Sequence, residues 1–416
     1  MLTYQQVSQL VDEHEAWRAR CMNLIASENA FSPATRRFLS CDLVQRYGNY
    51  ATRDLTDRRY SGNRYIQQIE VGLTNLVQEV FGASEVELRA ISGHVAGLAV
   101  IMATCRPGDT VLELASPDGG HCLAAKAAGS PLIDLNVLPI PFDAFQYNIN
   151  VGAACKLIIE RQPRLIILGS SNFLFPHPVT EIAACLSRSP NTVLAYDASH
   201  VFGLLACKEF QNPLQEGAHV VFGSTHKTLP GPQGGLILSN SSALMDVIAR
   251  AVYPGAVTNH HLVRSPALAT ALLELDFNRG YAHQVVKNAQ ALARRLGDRG
   301  IPIVAAEHGF TQSHTVLIRT AAFGTGKSIA GLLEEADIMV SYTRLPAELG
   351  AEGVRLGTSE VTRLGADERD MVAAADIIAD IVLGGTAHTT ASNSVHAWAE
   401  HIGEMRFAQL PTSSSL

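Results

Sequence analysis

The chain has 416 residues, of which 47% are hydrophobic and 17% charged, with a formal net charge of -7. That composition supports a sizeable buried core and excludes a disordered chain, while the length calls for a large domain plus a smaller one. A negative balance without any polybasic run sets aside nucleic acid and anionic membrane surfaces as partners.

The first 29 residues, MLTYQQVSQLVDEHEAWRARCMNLIASEN, read as an amphipathic helix and not as a signal peptide; residues 1–40 are taken as an N-terminal arm. No run reaches about 18 apolar residues, so no transmembrane helix is expected. The seven cysteines, Cys21, Cys41, Cys105, Cys122, Cys155, Cys185 and Cys207, are scattered, odd in number and without a CxxC. They read as reduced, mostly buried thiols of a cytoplasmic protein, with no zinc or other metal site.

From about residue 90, helical stretches alternate with short apolar runs at Thr110–Leu114, Leu165–Leu168, Thr192–Tyr196 and His219–Phe222. Short buried runs at that spacing predict a parallel sheet covered on both faces, within a large domain spanning 41–265. After Pro266 a long helical register begins, and strand-like segments follow from Ile301. They predict a smaller C-terminal α+β domain over 266–416, ending in a frayed TSSSL tail.

Four segments carry chemistry. In AHVVFGSTHKTLPGPQGG a buried strand delivers Ser224, Thr225, His226 and Lys227 to a Pro/Gly-rich turn. A lysine desolvated there is a nucleophile toward a carbonyl, and the neighbouring hydroxyls and imidazole suit a phosphate ester. An exposed turn lysine is the alternative. In TVLAYDASHVFGL, Asp197 ends an apolar run one strand–helix–strand unit before Lys227, where open α/β sheets bind ligands. It can keep a pyridinium nitrogen protonated or simply cap a helix. In LRAISGHVAGLAVIMA, the turn Ser92-Gly93-His94 opens an apolar helix, offering either a phosphate site or an ordinary cap. In SPDGGHCLAAK, His121 after Gly119-Gly120 can stack on a flat ring or serve structure.

NLIASENAFSP, RRYSGNRYIQQIE, the ISG turn, PDGGH, YDASH, STHKTLPGPQGG and GVRLGTSEVTRLG follow one another as in the serine hydroxymethyltransferase family, which residues 20–385 resemble. The resemblance implies the aspartate-aminotransferase-like fold (pyridoxal 5'-phosphate, PLP, fold type I). It also implies a mainly parallel α/β large domain and a homodimer that shares its active sites. It makes Lys227 the Schiff-base lysine and Asp197 the partner of the pyridine nitrogen. His121 stacks over the ring, His200 sits beside its phenolic oxygen, and Ser171 lies near the ring. Ser92, Gly93, His94 and His226 form the phosphate side, which Gly255 completes from the neighbouring subunit. Arg355 and Ser32 take the substrate carboxylate, as a planar guanidinium suits. Tyr47, Asn49 and Tyr60 reach the substrate across the dimer, and His121, Tyr60 and Thr225 are candidates for proton handling.

The sequence departs from that family in three places that bear on the reaction. Folate-dependent members carry Tyr-Ala-Glu-Gly before their RYYGG-like motif, whereas this chain reads RYGNYATRDLTDRRYSGN, with Asn49 at the position of the glutamate. Asparagine exchanges no proton near neutral pH; Asp54 and Asp57 are possible substitutes. The folate-side segments after GGH and before Arg355 are also shortened. Meanwhile THKTLPGPQ, FNRGYAHQVVKNAQALARRL and GFTQSHTVLI resemble the L-threonine transaldolase branch of specialised metabolism. The expectation is therefore folate-independent aldol or transaldol chemistry on a β-hydroxy-α-amino acid, with an aldehyde acceptor. The alternatives are β-elimination or decarboxylation-linked deamination of a larger amino-acid conjugate, folate-dependent hydroxymethyl transfer, and a PLP-binding relic without activity.

Overall fold

The structure, a computed structural model, describes residues 1–130, 133–385 and 388–410; the TSSSL tail lies outside the described residues. It divides into two compact units, one of residues 29–283 with the segment from 407 onward, the other of residues 1–28 and 284–406.

The larger unit is built on a seven-stranded sheet. In chain order its strands are β1 (Glu85–Glu87), β2 (Thr110–Glu113), β3 (Asn136–Pro139), β4 (Leu165–Leu168), β5 (Val193–Asp197), β6 (Val220–Ser224) and β7 (Gly235–Ser239). Their spatial order is β1-β7-β6-β5-β4-β2-β3, and β7 alone runs against the rest. Every residue of β4, β6 and β7 is buried, which explains why these strands read as continuous apolar runs without alternation. The helix Gly93–Thr104 is apolar on all sides for the same reason. Its Ala96, Ala99 and Val100 pack on Val111, Ile167, Ala195 and Phe222 of the sheet. Each large side chain so buried contributes about 1.5–3 kcal/mol.

The helix Arg264–Phe277, expected to open the C-terminal domain, packs instead on the helix Arg64–Phe81 of the larger unit. Polar chemistry explains the placement. Ser265 donates to buried Glu70 at 3.0 Å, and the same carboxylate meets His260 at 2.8 Å and Arg58 at 2.7 Å. Arg264, also buried, donates to the carbonyls of Ala90 at 2.8 Å and Gly235 at 3.1 Å. Stranding these groups would cost more than the amphipathic pattern alone reveals.

In the smaller unit, β8 (Thr315–Arg319), β9 (Ser341–Arg344) and β10 (Glu352–Gly357) form an antiparallel sheet ordered β8-β10-β9. Ile318, Val354 and Leu356 pack there with Leu292, Leu296 and Ile378. The helix Tyr4–Arg18 forms as expected, capped by a Thr3–Gln6 capping box, but none of its residues is buried. Trp17 ties its end to Asp337 through a 2.8 Å hydrogen bond.

The expectation of seven reduced thiols is corrected. Cys155 and Cys185 form a disulfide, with Cα atoms 5.8 Å apart, between the helices Val151–Arg161 and Val179–Cys185. Thirty residues separate them in sequence, so only the packing of consecutive helices on one sheet brings them together. The other five cysteines are in no disulfide.

Candidate active site

The carboxyl ends of the parallel strands converge on a pocket of about 150 Å³, lined by Ser92, Gly93, His94, His121, Leu123, Ser170, Ser171, Asp197, Ser199, His200, Ser224 and Lys227. Every lining residue belongs to the larger unit. Strand ends leave side chains exposed just where the sheet's hydrogen bonding stops, so β4, β5 and β6 supply serines, a carboxylate and a lysine to one place.

Lys227 owes its position to the turn that follows it. Thr225 is fully buried, donates its hydroxyl to the Pro232 carbonyl at 2.6 Å and its N–H to Gly234, and receives the Gly231 N–H. Asn29 holds the lysine's own carbonyl at 2.7 Å and contacts the Tyr281 hydroxyl at 2.9 Å. Thr225 thus shapes the turn and does not line the pocket. His226 also lies outside the lining; burial, with Lys227 and Arg264 nearby, pushes its imidazole down to about 4. Its Nδ1 is buried without a hydrogen-bond partner.

Opposite, Ser92 caps the helix Gly93–Thr104 by accepting the Val95 N–H at 3.1 Å. The cap consumes one N–H and leaves the others at the helix start, so Ser92 can cap the helix without closing it to an anion. The approach is tight: a Cβ on Gly93 would stand 2.3 Å from Ser224 Oγ and 2.6 Å from the Ser224 nitrogen. Asp197 Oδ1 accepts the Ser199 N–H at 2.9 Å, and Ser199 Oγ accepts the Ser224 N–H at 3.0 Å, which locks the ends of β5 and β6 together. On the other wall, the Gly119-Gly120 turn presents His121, whose Nε2 lies 3.4 Å from His94 Nδ1. Burial lowers both imidazoles, and Lys126 adds to this while Asp197 works against it.

These groups fit PLP. An amine, a carboxylate, imidazoles and small hydroxyls surround a cradle that a single methyl at Gly93 would fill. Lys227 would hold the aldehyde carbon, Asp197 the pyridine nitrogen, and Ser92, Gly93 and Ser224 the phosphate.

The remaining expected residues stand elsewhere. Ser32 is buried as a helix cap, with its hydroxyl on Glu274. Tyr47 and Tyr60 are exposed, their rings 5.5 Å apart. Asn49 is buried and donates to the Thr258 carbonyl at 2.6 Å. Gly255 lies in the turn Ala251–Ala256. Arg355 belongs to β10 of the smaller unit, where its Nε donates to Ser341 Oγ at 3.2 Å. Sequence reading missed Ser170 and Ser199; their signal was a small hydroxyl residue just past an apolar run, in LGSSN and YDASH.

Among the described residues, no group of His, Cys, Asp and Glu could hold a metal ion, and no helix is long and apolar enough to cross a membrane. The serine hydroxymethyltransferase family model matches residues 2–378. A serine hydroxymethyltransferase from Methanopyrus kandleri is 40% identical over 407 residues, covering 96% of this chain and 94% of the relative. One from Methanocaldococcus jannaschii is 40% identical over 384 residues, covering 90% and 88%. Among solved structures, an L-threonine transaldolase from Pseudomonas fluorescens in its internal aldimine state superposes with a TM-score of 0.89 at 27% identity. The match covers 99% of this chain and 95% of that one. With the strand-end lysine, aspartate and phosphate cradle in place, the chain belongs to the serine hydroxymethyltransferase family of PLP-dependent fold type I enzymes.

Proposed function

We propose that this enzyme breaks and forms the Cα–Cβ bond of a β-hydroxy-α-amino acid without folate, passing the retained amino-acid fragment to an aldehyde or a proton. When bound, PLP supplies an electron sink for the pair left on Cα. Asp197 holds the ring nitrogen protonated, and the locked ends of β5 and β6 keep that carboxylate in place. His121, which lines the pocket, takes the β-hydroxyl proton in this reading, as cleavage of a Cα–Cβ bond requires. Arg355 is carried as the carboxylate ligand by its GVRLGT motif. Exposed Tyr47 and Tyr60 support a homodimer with shared sites, expected to sediment as a dimer.

The observation that carries the reading is Asn49. Its amide nitrogen donates to the Thr258 carbonyl and its amide oxygen is buried without a hydrogen-bond partner, where folate-dependent members of the family place a proton-carrying glutamate. Likeness to a threonine transaldolase supports the same bond. A second reading, hydroxymethyl transfer to a folate-type carrier, is favoured by the relatives at 40% identity that bear that name.

The test is to incubate the holoenzyme separately with L-threonine and benzaldehyde, with L-serine, and with a larger amino-acid conjugate, each with and without tetrahydrofolate. Acetaldehyde release and a new aromatic β-hydroxy amino acid, both indifferent to folate, are expected. Turnover of serine alone, strictly dependent on tetrahydrofolate, would support the second reading. Pyruvate or carbon dioxide formed only from a larger conjugate would refute both.

A further inference from the structure

The two imidazoles at the pocket wall come from separate elements. His94 is the second residue of the helix Gly93–Thr104, and His121 ends the Gly119-Gly120 turn. Their rings meet edge to face, with centroids 5.7 Å apart and planes at 81°. Nδ1 of His94 lies 3.4 Å from Nε2 of His121, a distance at which one nitrogen can donate to the other when the tautomers are complementary.

The backbone on both sides is rigid. A Cβ on Gly120 would come 1.8 Å from the Leu114 carbonyl oxygen, and one on Gly119, whose φ is +86°, would come 2.5 Å from Ser170 Oγ. Ser92 caps the opposing helix. The imidazole pair is therefore held by two elements that cannot easily separate. Three other charged groups face it: Asp197 from β5 favours protonation of both rings, and Lys126 from Leu123–Ala128 opposes it. Lys227 opposes a charge on His121 and is not among the groups acting on His94.

We infer that His94 is a positioning residue for His121, fixing its tautomer and ring plane and taking over its proton during turnover. In this step a substrate hydroxyl proton goes to Nδ1 of His121, and the Nε2 proton of His121 passes to Nδ1 of His94. His121 ends neutral with its tautomer exchanged, and the positive charge rests on the ring that Lys227 does not oppose. The reverse sequence delivers the proton to the oxygen of the incoming aldehyde as the new bond forms, or to Cα of the retained fragment when no aldehyde is taken up. The hydroxyl step rests on the proposed cleavage of the Cα–Cβ bond, whereas the pairing of the two rings rests only on the geometry of this pocket.

The experiment is an NMR pH titration of histidine ring signals in the PLP-loaded full-length enzyme. It compares wild type with His94→Phe, which keeps a ring without nitrogens, and His94→Asn, which keeps a hydrogen-bonding group near Nδ1. In the wild type, His121 is expected to show one dominant tautomer and to titrate in two steps about one pH unit apart or more. In His94→Phe it should titrate in one step with mixed tautomers. In His94→Asn the tautomer should persist while the second step disappears; that variant alone decides the matter if His94→Phe does not fold. A His121 titration and tautomer identical to wild type in either folded variant would overturn the inference. Neither result depends on the reaction catalysed, so the test stands apart from the threonine assay.

Discussion

Replacing Gly93 by alanine should separate the phosphate cradle from the Lys227 strand. The new Cβ would sit 2.3 Å from Ser224 Oγ, a contact that rotating the hydroxyl relieves. It would also sit 2.6 Å from the Ser224 nitrogen and 3.0 Å from the Gly223 carbonyl carbon, which are backbone and cannot turn away. Ordinary contact begins at 3.4 Å, so the helix start must retreat from β6 by nearly 1 Å. Overpacking of this kind costs about 1–3 kcal/mol. If most of it falls on the closed, cofactor-holding geometry, PLP affinity drops by about 5- to 150-fold, since 1.4 kcal/mol is tenfold. The assay is titration of apoenzyme with PLP, followed by the visible absorption of Lys227-bound cofactor and accompanied by apoenzyme melting. Gly72→Ala is the control: a Cβ there meets nothing within 4 Å, so affinity should not change. Wild-type affinity in Gly93→Ala, with an unchanged melting temperature, would refute the close approach of helix and strand.

Three further outcomes are expected. Thiol titration of the denatured, unreduced protein should count five free cysteines, rising to seven after reduction, because Cys155 and Cys185 are joined; seven without reductant would remove the bond. Glu360 is pushed from 4.5 up to about 7, chiefly by burial, with Glu28 adding to the rise and Arg18 opposing it. Its native form thus binds more protons than the unfolded chain between those values, so its penalty is absent below pH 4.5, grows with rising pH and is complete above about 7. Glu360→Gln should therefore be more stable than wild type by about 1–3 kcal/mol at pH 8 and equal to it at pH 4, as read by chemical denaturation; equal stabilities at pH 8 would refute this. Asn49→Leu should cost about 1–3 kcal/mol by stripping the Thr258 carbonyl of its donor, and an unchanged denaturation midpoint would show that carbonyl satisfied otherwise.

Much of the large unit was legible because its signals are local. Apolar runs at 165–168 and 220–222 became β4 and β6, and the residues just beyond them became the pocket. What the sequence hid depends on approach between distant segments. The commitment of Thr225 to Pro232, of Ser32 to Glu274 and of Asn49 to Thr258 follows from how loops fold back, which no motif encodes. The pairing of Cys155 with Cys185 and the attachment of the helix Arg264–Phe277 through Ser265 and Glu70 are likewise products of packing. Ser170 and Ser199 escaped notice because single serines are common at strand ends, and only convergence on one cavity distinguishes them.

The bond that breaks is the heart of the account, and isotopic labelling at Cα tests it directly. L-threonine deuterated at Cα should be turned over by the holoenzyme in the presence of benzaldehyde, and the product analysed by mass spectrometry. Cleavage between Cα and Cβ leaves the Cα–H bond untouched, so the new β-hydroxy amino acid is predicted to retain its deuterium. Loss of the deuterium to solvent before any acetaldehyde forms would show that the enzyme breaks Cα–H instead, and would contradict the aldol assignment.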